Sequence, residues 1–291
     1  MNLDFSILGL HLLTGLAYGM LLFMMASGMS IIYGLMNVVN LTHGTFFALG
    51  AYFIFTFVSQ HFSFWFSLIL SIIIVSVFAL LVERVFLSRL YGKHIEEVLL
   101  TFGIFFILMD VMRFLWGADP LTVKVPEQFD FSIPLGPVMF PIYRLFVIII
   151  GLILAGVLWY IERRTQIGAI IRAGVDDRVM LGALGINVKL VFTFVFIFGA
   201  ALAALGGALA APILGVYLGM DMEVLILSLV IVVIGGLGTW KGTFVGAILV
   251  GMIETLGQVW FPSISMALIF ILMIIVLLVR PTGLFGKEVG T

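Results

Sequence analysis

Long apolar runs fill most of this chain, and short polar or glycine-rich breaks separate them. A helix rises 1.5 Å per residue, so about 20 apolar residues cross a bilayer. On that ruler the pattern predicts helices over 8–34, 44–58, 62–82, 97–116, 142–161, 190–211, 223–237, 243–260 and 264–279. Two of these, 44–58 and 223–237, make only about 22 Å of helix, short of the ~30 Å hydrocarbon core. Each adjoins a polar or glycine-rich break. The expected fold is all-α, a polytopic helical membrane protein with eight, nine or ten transmembrane segments according to whether the short ones cross or re-enter. Barrel strands alternate and are far shorter than these runs, which excludes a β-barrel. No hydrophilic stretch is long enough for a separate soluble domain, so residues 1–291 are read as one membrane domain.

Composition agrees. Hydrophobic residues are 63% of 291 and charged residues 10%, against roughly 25% charge in soluble domains. A net charge of −1 leaves no broad basic face for nucleic acid. With no cysteine there are no disulfides, thiol catalysis or cysteine-held metals. The first ten residues carry no Lys or Arg, so no cleaved signal peptide is expected.

Basic residues orient the spans. Arg84, Arg89 and Lys93 fall in 83–96, five more Lys/Arg fall in 162–189, and the tail adds Arg280 and Lys287. The proline-rich segment 117–141 has Lys124 against Asp119, Glu127 and Asp130. Positive residues favour the cytoplasm. The expectation is therefore a periplasmic loop at 117–141, an external amino terminus, a cytoplasmic carboxyl terminus and nine crossings.

The break at GLMNVVNLTHGTFFALGAYF sets Asn37, Asn40, Thr42, His43 and Gly44 between apolar runs. Non-helical backbone at membrane depth persists only where protein buries it or water lines it. Two readings fit. These residues form a solute pathway or gate, or they cap two helices at the headgroup level. A second break, IGGLGTWKGTFVGA, holds Gly235, Gly236, Gly238, Lys241 and Gly242. Its GTFVGA echoes GTFFALGA at 44–51, a trace of internal repetition. Small residues at 199, 203, 207 and 211, and the pairs Gly15/Gly19 and Ala247/Gly251, read as packing seams.

Intramembrane polar residues are few. Asp110 and Arg113, three apart on one helix, are spaced to pair or to sit at interfacial depth. Glu254 and Gln258 share a helix face. A lone carboxylate is a proton carrier or a hydrogen-bonded packing residue. The loop 162–189 contains TQIGAIIRAGVDDRVMLGALGINVK, which has helical spacing and glycine breaks. A short amphipathic helix there offers Gly168, Arg172, Ala173, Asp176, Asp177, Gly185 and Ile186 to a partner at the cytoplasmic surface, or lies flat on lipid. No GxxxxGK[ST], HExxH, GxSxG or paired His ligands occur, so no catalytic residue, metal site or cofactor is expected.

Four stretches in order resemble the LivH-type permeases of branched-chain amino-acid ABC importers. They are NVVNLTHGTFFALGAY, IRAGVDDRVMLGALGINV, VVIGGLGTWKGTFVGAILVGMIETL and the closing RPTGLFG. The resemblance implies a permease subunit in the bacterial inner membrane, paired with a LivM-like second permease. It further implies two ABC ATPase subunits below and a periplasmic or lipid-anchored solute-binding protein above. The loop 162–189 would couple to the ATPase. Thr45 stands where relatives frequently carry an acid, and Leu181 where a small residue is common. The competing class is a secondary transporter or channel for a small neutral solute such as urea or an amide, coupled through Glu254 or Asp110.

Overall fold

The computed structural model describes residues 5–135 and 138–286. It contains α1 (Phe5–Met36), α2 (Thr42–Ser59), α3 (Phe64–Val85), α4 (His94–Trp116), β1 (Ser132–Leu135), β2 (Val138–Pro141), α5 (Ile142–Arg164), α6 (Gln166–Asp176), α7 (Arg178–Ala183), α8 (Val188–Leu214), α9 (Met220–Gly235), α10 (Trp240–Trp260) and α11 (Ser265–Val279). Every apolar segment expected from the sequence falls on one of these helices. Eight helical stretches among the described residues are long and apolar enough to cross a membrane. The ninth, α9, has only 16 residues. The segment after α4 is more ordered than a proline-rich loop: β1 and β2 pair antiparallel, Ile133 opposite Phe140.

Side chains set several of the boundaries. Ser63 accepts a hydrogen bond from the Phe66 amide, Thr165 from Gly168 and Asn187 from Leu190, each satisfying a free donor at a helix start.

The bundle has two ends. At the proline-rich end, Trp65 of α3 donates to Gln128 at 3.2 Å, Arg144 of α5 to Thr14 of α1 at 2.8 Å, and Leu121 bridges Val216 beyond α8. At the basic end, α6 packs under α1 and α5. The core runs along α1, α2, α8 and α9, where Met24, Met25, Phe46, Ala203 and Ile231 are fully buried. Small residues let these backbones touch. A side-chain carbon at Gly28 would lie 2.5 Å from the Gly199 carbonyl oxygen, and one at Gly19 would lie 2.8 Å from that of Ala247. Gly207 meets Phe47 and Gly50 meets Ala204 in the same way. By contrast α4, α5 and α11 turn large apolar side chains outward, Phe114 at 88% exposure and Leu278 at 79%. Only a lipid or protein neighbour suits such faces.

Two halves of opposite direction emerge. Each is a long helix, a break and a short helix: α1 then α2, and α8 then α9. α1 packs on α8 and α2 on α9, while α1 packs on α10 as α8 does on α3. Inverted halves of this kind are common in transporters. The sequence echo had linked the start of α2 to α10; packing instead matches α2 with α9. Short helices matched by position carry the relation, and GTFVGA is a similar glycine-rich helix start.

Candidate functional site

The first break turns at Asn37, whose φ of 53° is a left-handed conformation that Asn tolerates better than most residues. The chain then folds back along α1. His43, in the first turn of α2, reaches the Met25 carbonyl oxygen at 3.1 Å, about three turns before α1 ends. His43 thus lies alongside α1 rather than beyond its end. Asn40 Oδ1 does accept from the Thr42 amide at 3.1 Å, a helix-start cap, yet it does so inside the bundle. Thr42 Oγ1 donates to the Thr101 carbonyl at 3.1 Å and Thr101 Oγ1 accepts from the Leu41 amide at 3.3 Å, tying the break to α4.

α9 starts at the same level. Gly44 lies against the Asp221 carbonyl oxygen, with no room for a side-chain carbon. From this contact α2 runs to the proline-rich end and α9 to the basic end. Two helix amino termini, each carrying partial positive charge, therefore meet in the interior. Thr42, His43 and Thr45 are fully buried and Asp221 is 1% exposed. Because the His43 Nε2–H donates to Met25, Nδ1 is left as a bare acceptor. That atom, Asn40 Nδ2 and Thr45 Oγ1 have no hydrogen-bond partner among the described residues, and the buried Asp221 carboxylate has only backbone amides at the start of α9 beside it. Buried polar atoms are ordinarily paired, so these stand out in the interior.

The second break is a backbone clasp. Gly236 and Gly238 have φ of 100° and 74°, and Gly235 and Gly242 touch backbone to backbone. The last carbonyls of α9 accept hydrogen bonds from the carboxyl-terminal segment, Ile234 from the Leu284 amide at 2.8 Å and Gly235 from Phe285 at 3.0 Å. Free carbonyls at a helix end need such donors. This explains why the closing RPTGLFG belongs with the second break. Lys241 is exposed and stands apart, lining a small hollow with Glu162 and Trp159.

A cavity of about 480 Å³ at the basic end brings three motifs together: Gly34 of α1, Gly168 and Arg172 of α6, and Gly238, Thr239 and Pro281 around the clasp. The loop 162–189 does form the short helix expected, and α7 follows it. Gly168 and Gly174 face inward, Gly174 against Leu35 and Leu181, while Arg172, Ala173 and Asp177 are exposed. Asp177 Oδ1 accepts from the Met180 amide at 3.0 Å and so starts α7. Gly185, φ 81°, ends it with open space around it, and Ile186 is half-buried. The Asp176 side chain lies outside the described residues.

Asp110 and Arg113 make no ion pair; both are exposed near the outer turn of α4. Of the two expectations, pairing is not met, and both side chains turn away from the bundle. Glu254 and Gln258 do meet, the Gln258 amide donating to Glu254 Oε1 at 2.7 Å. Sequence reasoning missed Asp221, two residues ahead of an apolar run whose start it placed at 223, and did not single out Arg144. The fold-back after Asn37 sets Asp221 against α2, and packing of α5 on α1 sets Arg144 beside Thr14.

Short interior helices, opposed halves and an amphipathic helix at the basic end define a multi-pass membrane permease. Residues 11–277 match the family described as branched-chain amino acid transport system / permease component, and the chain belongs to that family. It is similar to the high-affinity branched-chain amino acid transport system permease protein BraD of Pseudomonas aeruginosa, 28% identical over 95% of each chain. It is also similar to the LivH permease proteins of Salmonella typhimurium and Escherichia coli K12, 25% and 24% identical, again over 95% of each chain. No solved structure matches the chain.

Proposed function

We propose that this chain is a permease subunit of an ATP-driven importer for branched-chain or related small neutral amino acids. The observation that carries the reading is α6, a short helix that buries its glycines against the span ends and presents Arg172 and Ala173 outward. A helix so placed fits a groove on a cytoplasmic ATPase pair. Two ATPase subunits, a LivM-like second permease and a solute-binding protein complete the assembly. The basic end faces the cytoplasm, with the amino terminus outside and the carboxyl terminus inside, as the distribution of Lys and Arg favours. The solute passes the meeting of α2 and α9, where Asn37, Asn40, Thr42, His43 and Gly44 form one wall of the gate. Rocking of one half against the other opens it to either side. The relatives named for branched-chain amino acid transport support the solute class. The secondary-transporter reading needs an intramembrane coupling carboxylate at Asp110 or Glu254, and Asp110 lies on the outer face of α4.

The test is a mild-detergent pull-down of the tagged chain, assayed for vanadate-sensitive ATPase activity. A recovered vanadate-sensitive ATPase supports the importer. A chain purified without any ATPase, yet transporting amino acids in vesicles, overturns it.

A further inference from the structure

A second cavity, about 330 Å³, opens at the proline-rich end between α1, α5, the end of α8, the start of α9 and α10. Its size falls within the ~300–1,000 Å³ of small-molecule sites. Three charged side chains line it, and none pairs with another. Arg144 Nη1 donates to Thr14 Oγ1 at 2.8 Å. Glu223 Oε2 accepts from the Tyr217 hydroxyl at 2.7 Å. Glu254 Oε1 accepts from Gln258 at 2.7 Å, and its Oε2 is buried without a partner. Each charge is aimed by a neutral neighbour and has no counter-charge in ion-pair range among the described residues.

Held charges of both signs are costly at membrane depth unless something neutralises them. A single ligand with both charges meets two of them in one step, Arg144 and Glu254, while Glu223 is exposed and held by Tyr217. The same cavity also offers apolar surface, from Ala17, Ile213, Met220 and Val224. We infer that this cavity binds the free amino-acid zwitterion, its carboxylate on Arg144, its ammonium on Glu254 and its aliphatic side chain against the apolar wall. Tyr217 and Glu223 form the rim beside α9, whose next face, at Asp221, meets α2. The cavity is thus the vestibule in front of the interior gate. The inference rests on the importer reading above and adds to it a recognition site within this chain.

The chain has no cysteine, which makes a direct test clean. Thr255→Cys places one thiol on the cavity wall. In the assembled transporter, the rate of its modification by a water-soluble methanethiosulfonate is followed by the mass shift of this chain. Leucine at about ten times its dissociation constant slows the reaction roughly tenfold, since only the empty fraction reacts. Leucinamide, which lacks the carboxylate, and isocaproate, which lacks the ammonium, leave the rate unchanged. Glu254→Gln, which keeps a partner for Gln258, abolishes the protection by leucine, as does Arg144→Gln. No protection by leucine, equal protection by all three compounds, or protection that survives Glu254→Gln each overturns the assignment. Uptake by the unmodified transporter separates the two levels. Leucine uptake without protection sinks only the cavity, whereas no uptake of any neutral amino acid sinks the importer reading.

Discussion

Gly44 at the start of α2 rests directly on the carbonyl oxygen of Asp221 at the start of α9, with the Leu225 side chain beside it. α2 is among the shortest of the eight candidate spans and α9 is shorter still. At about 27 Å and 24 Å they fall short of a ~30 Å core, and the contact joins them end to end.

Gly44→Ala is expected to destabilise the protein by about 1–3 kcal/mol, because a rigid backbone carbonyl must move to admit a methyl group. Gly103→Ala, in open space on α4, is the control and is expected to be neutral or slightly stabilising. Thermal unfolding of both variants in detergent checks this. Equal transitions would show that the contact is not tight.

His43→Ala removes the donor to Met25 and the bare Nδ1 acceptor while leaving the Asn40 cap in place. Uptake is expected to fall at least tenfold at normal abundance of the assembled complex, a loss of about 1.4 kcal/mol in the transport step. Wild-type uptake would reduce His43 to a packing role.

Arg172→Glu reverses an exposed charge on α6, and Gly185→Glu forces a bulky residue into a left-handed conformation at a cost of about 1–2 kcal/mol. Both are expected to separate ATP hydrolysis from uptake without removing the chain from the membrane. The ratio of solute moved to ATP hydrolysed is the measurement; an unchanged ratio in both variants would remove α6 from coupling.

Gly236 and Gly283 have φ of 100° and 82° and approach within 2.6 Å of where a side-chain carbon would lie. Alanine at either position is expected to release the carboxyl-terminal segment from α9. The double variant should cost little more than the first, because one clasp is lost once. Strictly additive losses in unfolding midpoint would argue that the two glycines act separately.

Much of this architecture was legible in the sequence, because a bilayer imposes length and polarity on every span. The nine helices follow from apolar run length, and the two short ones were visible as short. The amphipathic α6 also showed in its spacing. What could not be read was depth. Asn40 caps α2 as its residue type suggests, but only the fold-back after Asn37 carries that cap inside the bundle. Asp110 and Arg113 had the spacing of a pair, yet spacing does not say which way a lipid-exposed helix face turns. The link between RPTGLFG and the glycines at 235–238 is backbone hydrogen bonding, which leaves no trace in side-chain pattern.

The end-to-end meeting of α2 and α9 also sets an order on biogenesis. When α2 leaves the ribosome, its first turn carries Asn40, Thr42, His43 and Thr45, and its eventual cover is not yet made. Asp221 follows some 180 residues later, roughly ten to forty seconds at ordinary synthesis rates. Throughout that interval a polar helix start waits in or beside the insertion machinery. Substitutions at the start of α9 should then leave that interval unchanged and show as degradation of the chain only after α9 has been made, when the polar start of α2 fails to gain its cover.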